Sequence, residues 1–269
     1  MANHCPQMTN AGIHSLHSTS VVDEHGETRE IFLTGERPLT IYLDKQEIVT
    51  LMTMGAQPEL LTLGYLRNQG LVHSLEDIVA IQVDWDVEAV AVTTRQTRTD
   101  ISQLLSKRTV TSGCGQGTMF GHVMESLNQL TITCPDFTSE SIYQVLHGLD
   151  EYNQMYKKAG AVHGCALCSP TGNVEMFVED VGRHNAVDAI SGWMWLEGIT
   201  GEDKVFYTTG RLTSEMVIKV AQMQVPLLLS RSGVTEKGLS IAQQIGIGMV
   251  ARAKGKHFLV FNCLEKFKN

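Results

Sequence analysis

The chain has 269 residues, of which 43% are apolar and 19% are charged, and its formal net charge is −8. This is the composition of a folded globular protein, and it excludes an intrinsically disordered chain. The acidic balance argues against a broad nucleic-acid-binding surface, because phosphate binding requires clustered lysine and arginine. No stretch approaches the roughly 18–20 consecutive apolar residues of a membrane helix, and the start MANHCPQMTN lacks the order of a secretory signal. We therefore expect a cytoplasmic protein with no nucleic-acid or membrane partner.

Cysteine usage directs attention to thiol chemistry. In a chain of this size without a secretory signal, cysteines are free thiols, metal ligands or a reactive nucleophile more often than a disulfide framework. The six cysteines are Cys5, Cys114, Cys134, Cys165, Cys168 and Cys263.

The N-terminal part of the chain is predicted to be rich in strands. Residues 1–20 are polar and aperiodic, which indicates a disordered or extended tail. Residues 21–105 are predicted to form a smaller β-rich α+β domain. One helix is expected there, beginning at Pro58 and ending before Gly70. Short runs rich in β-branched residues predict the strands EIFLT, LTIYL, EIVTLMT, VAIQVDW and VEAVAVTT.

Residues 106–269 are predicted to form a larger, layered α/β domain that carries Cys114 near its start. Strands alternating with helices of ordinary length imply βαβ crossovers and a mixed or parallel sheet covered on both faces. The predicted helices cover 139–158, 184–196, 213–222 and 235–245. The predicted strands cover 161–167, 174–180, 204–209, 226–229, 247–253 and 257–262.

Cys114 lies in the glycine-rich segment TSGCGQGTM. Its glycine neighbours shield the thiol little and permit open turns that present backbone amides to an anion. Access and thiolate character are what sulfur exchange requires. The segment alone leaves two interpretations open, a reactive cysteine and a loop cysteine without a role.

A second cysteine cluster, VHGCALC, contains His163, Cys165 and Cys168. The pair resembles a zinc or redox motif. Alternation along a strand, however, places His163 and Cys165 on one face and Cys168 on the other. Free cysteine is also among the most buried residue types, so we favour buried core cysteines.

The segment FVEDVGRHNAVDAI gathers polar residues where a strand gives way to a helix. The helix N-terminus offers unpaired amides to an anion, and ligands of α/β sheets sit at such strand ends. Alternatively, Asn185 or Asp180 caps the helix while Arg183 pairs with Glu179. The polar residues of this first junction are Glu179, Asp180, Arg183, His184, Asn185 and Asp188.

Two more junctions, TTGRLTSEM and SRSGVTEKG, repeat this arrangement after later strands. Helix amides together with a guanidinium make a good phosphate site. Three such junctions in one domain predict an anion-lined crevice. The residues concerned are Gly210, Arg211, Thr213, Ser214, Arg231, Ser232 and Thr235.

A basic turn, ARAKGKH, separates the last two predicted strands. Such a turn is commonly a solvated hairpin, but in an acidic chain it is also a candidate docking site for an anionic cofactor. Its residues are Arg252, Ala253, Lys254, Gly255, Lys256 and His257.

These segments together resemble the FdhD family of formate dehydrogenase accessory proteins. The resemblance covers about residues 30–261 and is carried by four features. They are the glycine-flanked Cys114, TLMTMGAQPELLTLGYLRNQGLV, FVEDVGRHNAVDAI, and TTGRLTSEMVIKVAQMQVPLLLSRSGVTEKGLSIAQQIG.

The resemblance implies a sulfurtransferase. Family members accept sulfur from a cysteine desulfurase as a persulfide, here on Cys114. They pass it to molybdenum bound by two molybdopterin guanine dinucleotides before this cofactor enters formate dehydrogenase. The resemblance also implies a cytidine-deaminase-like larger domain, a homodimer and no tightly bound metal. The turn from Arg252 to His257 corresponds to the family's cofactor-binding segment.

The junctions extend the expected cofactor-binding set. From the anion-lined crevice we add Arg183, His184, Asn185, Gly210, Arg211, Ser214, Arg231 and Ser232.

One departure from the family pattern concerns the second thiol. Many members carry a C-x-x-C pair where this chain has Cys114 and Gly117. The departure argues against an internal disulfide in the mechanism, while a persulfide relay needs only one nucleophile.

Two other functions are compatible with the residues. A zinc-dependent deaminase-like hydrolase requires H-x-E and P-C-x-x-C, and VHGCALC lacks the glutamate and the proline. A chaperone that binds and protects the cofactor would need the basic groups but no reactive thiol.

Overall fold

The computed structural model describes residues 5–13, 15–96 and 130–269, together with the backbone of two strands in the region between. The described helices are α1 (Pro58–Asn68), α2 (Ser139–Gly148), α3 (Gln154–Ala159), α4 (Arg183–Glu197), α5 (Ser214–Gln222) and α6 (Glu236–Ile245). The described strands of the first part of the chain are β1 (Gln7–Met8), β2 (Leu16–Val22), β3 (Thr28–Thr34), β4 (Arg37–Leu43), β5 (Gln46–Thr53), β6 (Ile78–Asp84), β7 (Ala89–Thr94), β8 (Arg108–Thr111) and β9 (Gly117–Phe120). Those of the second part are β10 (Phe137–Thr138), β11 (His163–Cys168), β12 (Val174–Asp180), β13 (Val205–Thr208), β14 (Leu227–Ser230), β15 (Gly248–Lys254), β16 (His257–Asn262) and β17 (Phe267–Lys268).

The N-terminal sheet has the strand order β1-β6-β7-β4-β5. β4 and β5 form an antiparallel hairpin, and β4 also pairs in parallel with β7. Buried and partly exposed residues alternate along β4, as the period of two of a half-buried strand requires. β2 and β3 form a separate antiparallel hairpin. Every strand predicted between residues 30 and 94 is therefore present.

The C-terminal sheet has the order β12-β11-β13-β14-β15-β16. β13, β14 and β15 are parallel, whereas β11 is antiparallel to both of its neighbours. All residues of β13 and β14 are buried, because α4 and α5 cover one face and α2 lies over the other. The mixed α/β architecture predicted for this half is confirmed, while the cytidine-deaminase-like layering stays a prediction.

The two faces of the C-terminal sheet belong to different hydrophobic clusters. Cys165 packs into the cluster that also includes the N-terminal sheet, and Cys168 packs into the cluster beneath α2. Both side chains are fully buried. The prediction that the two cysteines face opposite ways is therefore confirmed.

Helix α1 attaches the N-terminal sheet to the larger one by packing closely against α4. A Cβ atom added to Gly64 would clash with the Asp188 carbonyl group, and one added to Gly192 would clash with the Leu60 carbonyl group. The two backbones thus touch where these glycines face each other. The first hydrophobic cluster runs without a break through both helices and both sheets.

The helix predicted over residues 139–158 is instead two helices, α2 and α3. Asn153, just before α3, adopts the left-handed conformation at φ 59°, which a continuous helix does not permit. Within the described residues, no helix has the length and apolar character needed to cross a membrane.

Candidate functional site

The candidate site lies at one edge of the C-terminal sheet. The carboxyl ends of the parallel strands β13, β14 and β15 meet at this edge, and β12 ends there as well. Because β11 is antiparallel to its neighbours, its first residue, His163, lies at the same edge. The three predicted junctions are therefore brought together, at the position where open α/β sheets bind ligands.

Asp180, the last residue of β12, joins this edge to the N-terminal sheet. Its side chain is 4% exposed, and Oδ2 accepts hydrogen bonds from the Thr53 hydroxyl (2.5 Å) and the Met54 amide (3.1 Å). Oδ1 accepts bonds from the Gly182 amide (2.9 Å) and from Nδ2 of Asn185 (2.8 Å). Burial raises the pKa of Asp180. The carboxyl group is fully engaged inside the protein.

Two further residues of the first junction are also engaged internally. Nδ2 of Asn185 donates to the Met52 carbonyl oxygen (2.7 Å) in addition to the carboxylate just described. The Glu179 carboxylate accepts bonds from the amides of residues 155–156 (3.1 and 2.9 Å) and so caps α3. Glu179 therefore stabilises a helix rather than pairing with Arg183.

Arg183 and His184 line a cavity of about 50 Å³ between the sheet edge and α1. Arg183 is 3% exposed, and its Nε and Nη2 have no hydrogen-bond partner in the described part of the chain. Burial, followed by the charges of Lys219 and Arg183, lowers the pKa of His184 to about 2, so its ring is neutral. A cavity of this size holds a few water molecules but not a nucleotide.

A buried ion network lies behind this cavity. Nζ of Lys219 is 2.6 Å from Oδ2 of Asp188 and 3.5 Å from Oε1 of Glu215. Oδ1 of Asp188 accepts a bond from Asn68 of α1 (2.7 Å), and Nε2 of His184 lies 3.4 Å from Oε2 of Glu215. Burial by itself lowers the pKa of Lys219, but the two carboxylates raise it above its ordinary value. These charges compensate one another inside the protein and tie α5, α4 and α1 together.

Hydrogen bonds between hydroxyl groups and the backbone fix the second and third junctions against each other. The Gly210 amide donates to the Thr208 hydroxyl (3.0 Å), and the Ser230 hydroxyl donates to the Gly210 carbonyl oxygen (2.7 Å). The Ser232 amide donates to the Ser230 hydroxyl (2.9 Å), and the Ser232 carbonyl oxygen accepts a bond from the Arg252 amide (2.9 Å). The loops at this edge therefore form a single hydrogen-bonded layer.

The predicted cofactor-binding residues fall into three groups by exposure. Arg183, Asn185, Gly210 and Ala253 are buried, while His184, Ser214 and Ser232 are half-buried. Only exposed cations can meet a large anion without rearrangement. The exposed members are Arg211, Arg231, Arg252, Lys254, Gly255, Lys256 and His257.

A pocket of about 180 Å³ brings part of the exposed group together. From the predicted set it is lined by Arg231, Ala253, Lys254 and Gly255. The Arg231 side chain lies near the buried hydroxyl group of Tyr207, where burial raises the pKa of that hydroxyl to about 12 while the charge of Arg231 acts to lower it. The remaining lining residues, which the sequence did not indicate, are Leu146, Leu149, Asp150, Asn153, Lys157 and Tyr207. We call this the basic pocket.

A larger open groove of about 560 Å³ continues on the other side of the turn at Gly255. The Tyr143 hydroxyl of α2 donates to the Lys256 carbonyl oxygen (3.2 Å), which holds the turn against the helix. Gly255 has φ 59°, which allows the tight turn between β15 and β16. The basic turn thus separates the basic pocket from a groove that also presents Glu140 and His147.

Several residues of the site gave only weak sequence signals. Lys157 reaches the basic pocket because the chain breaks before α3, and its Nζ donates to the Asp150 carbonyl oxygen (2.7 Å). Tyr207 lies in the middle of an apolar strand, where nothing marks it as functional. Lys219 was detectable in principle, since it lies four residues after Glu215 in an otherwise apolar helix.

The described cysteines Cys5, Cys134, Cys165, Cys168 and Cys263 carry free thiols. Burial raises the pKa of Cys165 and of Cys168 to about 12, so both remain protonated. Cys114, the predicted nucleophile, lies outside the described residues.

The fold and site define a two-sheet α/β protein with a basic pocket at the carboxyl edge of its larger sheet. The sequence profile of the FdhD/NarQ family matches residues 34–268, and the chain belongs to that family. The resemblance inferred from the sequence motifs is thereby confirmed.

Individual relatives agree with this assignment. The chain is 27% identical over 235 residues to the sulfur carrier protein FdhD of Wolinella succinogenes, covering 87% of this chain and 82% of the relative. It is 29% identical over 233 residues to that of Halalkalibacterium halodurans, covering 85% of each. A crystal structure described as a formate dehydrogenase accessory protein of Desulfotalea psychrophila matches with a TM-score of 0.71 and 25% identity, covering 96% of this chain and 100% of that one.

Proposed function

We propose that this protein is a sulfur carrier required for formate dehydrogenase activity. It takes sulfur from a cysteine desulfurase as a persulfide on Cys114. It then transfers the sulfur to the bis(molybdopterin guanine dinucleotide) molybdenum cofactor before insertion into formate dehydrogenase. Family membership and the names of the relatives support the sulfur-carrier role.

The sulfur step is a displacement on sulfur. The Cys114 thiolate attacks the terminal sulfur of a persulfide on the donor enzyme, and the bond between the two donor sulfurs breaks. The donor cysteine leaves as a thiolate, and Cys114 carries the new persulfide. No net oxidation occurs, because one persulfide is exchanged for another. A single nucleophile is sufficient, in agreement with Gly117 at the second position of the family's cysteine pair.

The observation that carries the cofactor side of the proposal is the basic pocket. It presents Arg231, Lys157 and Lys254 together at the ligand-binding edge of an acidic protein. The Arg231 guanidinium lies 5.9 Å from the centre of the Tyr156 ring and near Tyr207, so aromatic side chains restrict its position before a ligand binds. The dinucleotide phosphates of the cofactor are the anions that this pocket would bind. The open groove adjoins the basic pocket, with which it shares Leu146, Asp150 and Gly255, and it offers a surface for the remainder of so large a ligand.

The first experiment tests the nucleophile. A cell that lacks its own family member is complemented with wild type, with Cys114→Ala or with the control Cys5→Ala, and formate dehydrogenase activity is measured. We expect Cys114→Ala to abolish activity and Cys5→Ala to retain it. Mass spectrometry after incubation with a cysteine desulfurase and cysteine should show one added sulfur atom at Cys114. Full activity of Cys114→Ala would contradict the relay and favour a chaperone that only protects the cofactor.

The second experiment tests the basic pocket with GDP, which carries the guanine nucleotide part of the cofactor. Removal of a charge-assisted hydrogen bond costs about 1.5–3 kcal/mol, so Arg231→Ala should weaken GDP binding by roughly 10- to 100-fold. Lys204→Ala is the control, because Lys204 is paired with Glu175 (2.9 Å) and precedes β13, at the opposite edge. Equal affinity of wild type and Arg231→Ala in calorimetry would contradict this assignment.

We also propose that the protein is a homodimer. The segment GWMWL does not decide the interface, since Met194 is in the core and Trp195 is covered by Arg67, 5.3 Å from the ring centre. Light scattering on the purified protein should give twice the mass of the chain, and a monomer at micromolar concentration would contradict this proposal.

A further inference from the structure

Cys134 and Cys263 meet although they are far apart in the sequence. Met249 of β15 is paired with Asn262 of β16, and this antiparallel register places Cys263 beside Gly248. Cys134 packs onto the same glycine, since a Cβ atom added to Gly248 would clash with the Cys134 sulfur. The absence of a side chain at Gly248 therefore provides the space that the Cys134 sulfur occupies, next to Cys263. Each thiol influences the pKa of the other, as expected of neighbouring groups.

The immediate surroundings leave this contact weakly constrained. The Cys134 thiol also lies 3.4 Å from the Pro135 carbonyl oxygen, and the Cys263 thiol lies 3.7 Å from the Gly246 carbonyl oxygen. Thiols are weak donors, so neither contact holds a sulfur firmly. Cys134 is 4% exposed, whereas Cys263 is partly exposed. One member of the pair can therefore be reached from solvent while the other is sequestered behind it.

We propose that Cys134 and Cys263 form a dithiol that small-molecule disulfides oxidise to an intramolecular disulfide. Simple packing would account for two buried cysteines in separate places. It does not account for two thiols from distant segments that both lie beside Gly248, one of them open to a reagent. The inference concerns neither the nucleophile nor the ligand of the proposed sulfur carrier, so it stands independently of that function.

The reaction proceeds in two exchange steps. In the first, the Cys263 thiolate attacks one sulfur of oxidised glutathione, whose disulfide bond breaks, and one glutathione thiolate leaves. In the second, Cys134 loses its proton and attacks the Cys263 sulfur of the mixed disulfide, and the second glutathione thiolate leaves and is protonated. Two protein thiols are oxidised and one glutathione disulfide is reduced to two thiols. Burial raises the pKa of both thiols, that of Cys134 to about 12. Cys263 meets the oxidant first because it is the partly exposed member of the pair.

The disulfide would connect the segment before β10 to the residue that follows β16. It would close a loop of about 130 residues and thereby restrict the unfolded chain. β15 runs from Gly248 to Lys254, so the bond would lie about 20 Å from the basic pocket at a rise of about 3.3 Å per residue. Oxidation should therefore raise thermal stability and leave nucleotide binding unchanged.

The test oxidises the full-length native protein with defined ratios of oxidised and reduced glutathione. Remaining thiols are alkylated before unfolding, and the digest is mapped by mass spectrometry. We expect a disulfide-linked peptide pair containing Cys134 and Cys263, and a rise in Tm on the order of 5–10 °C. Cys263→Ser should lose both effects, and the matched control Cys5→Ser should retain them. GDP affinity measured before and after oxidation should agree within twofold.

The mapping is made on the wild-type chain, so the result does not depend on whether a variant folds. The proposal is overturned if Cys134 and Cys263 are both recovered alkylated under conditions that oxidise the exposed Cys5 thiol. Linkage of either residue to a different cysteine would overturn it equally. Failure of the Cys114 complementation test would leave this outcome unaffected.

Discussion

Replacement of Lys219 by methionine tests whether the buried ion network holds the two sheets together. Lys219 is 2% exposed and Asp188 is 1% exposed, and Nζ is 2.6 Å from the Asp188 carboxylate. The variant keeps the length of the side chain but leaves Asp188 and Glu215 as buried carboxylates without their cation. Breaking a buried pair in this way costs about 3–5 kcal/mol. That is a large part of the roughly 5–15 kcal/mol by which a domain is stable.

The loss is measured by urea denaturation at pH 7, followed by tryptophan fluorescence. The control is Lys204→Ala, which removes a lysine of an ion pair nearer the surface and should cost about 0–1 kcal/mol. If the Lys219 variant does not fold, Asp188→Asn gives a second measurement, because it removes one charge and keeps the shape of the side chain. A loss below 1 kcal/mol for Lys219→Met, with an unchanged denaturant slope, would refute the account of the network as a structural joint.

Three further predictions concern the stability of the protein. Gly64→Ala should destabilise the protein by at least about 1–3 kcal/mol, because its new methyl group would clash with the α4 backbone. Gly233→Ala adds a methyl group in open space and should be close to neutral in the same denaturation assay. The pKa of His184 is lowered to about 2, so below pH 6.5 the unfolded chain takes up a proton that the native protein does not. The free energy of unfolding should therefore fall by about 2 kcal/mol between pH 7 and pH 5. His184→Gln should abolish this part of the pH dependence. Thr235→Ala removes the side-chain cap of α6 and should cost about 1 kcal/mol, more than Thr213→Ala, whose hydroxyl makes no cap bond.

The sequence was sufficient to predict the elements around the site because each has a local signal. β12 and the start of α4 follow from β-branched alternation and a polar turn, and β14 is a continuous apolar run ended by Ser230. Thr235 was predicted to lie directly at the start of a helix, and its hydroxyl accepts a bond from the amide three residues later (3.2 Å). Local chemistry therefore placed the three junctions at strand ends, and the shared edge follows from the parallel strands.

The break between α2 and α3 could not be predicted in this way. The residues around Asn153 are compatible with a continuous helix, and the break is stabilised by Glu179, which is distant in the sequence and caps α3 from β12. The basic pocket depends on this tertiary contact, because Asn153 and Lys157 reach it only when the helix is interrupted. Tyr207 was missed for a related reason. In an apolar strand, the sequence does not show which residue presents a polar group to a neighbouring junction.

Arg183 and Arg231 show why residue type and junction position are insufficient to assign a binding role. Both follow a strand at the same edge, and both were predicted to bind the same cofactor. Arg183 is 3% exposed beside a cavity of about 50 Å³, so a nucleotide could reach its guanidinium only if α4 separated from the sheet. Such a movement would expose the ion network of Lys219 to solvent and would disrupt the packing of α1 against α4. Arg231 is exposed and lines the basic pocket, so an anion can bind it without that cost. The burial of the first arginine and the access to the second are the reasons why the proposed mechanism assigns the cofactor to the basic pocket.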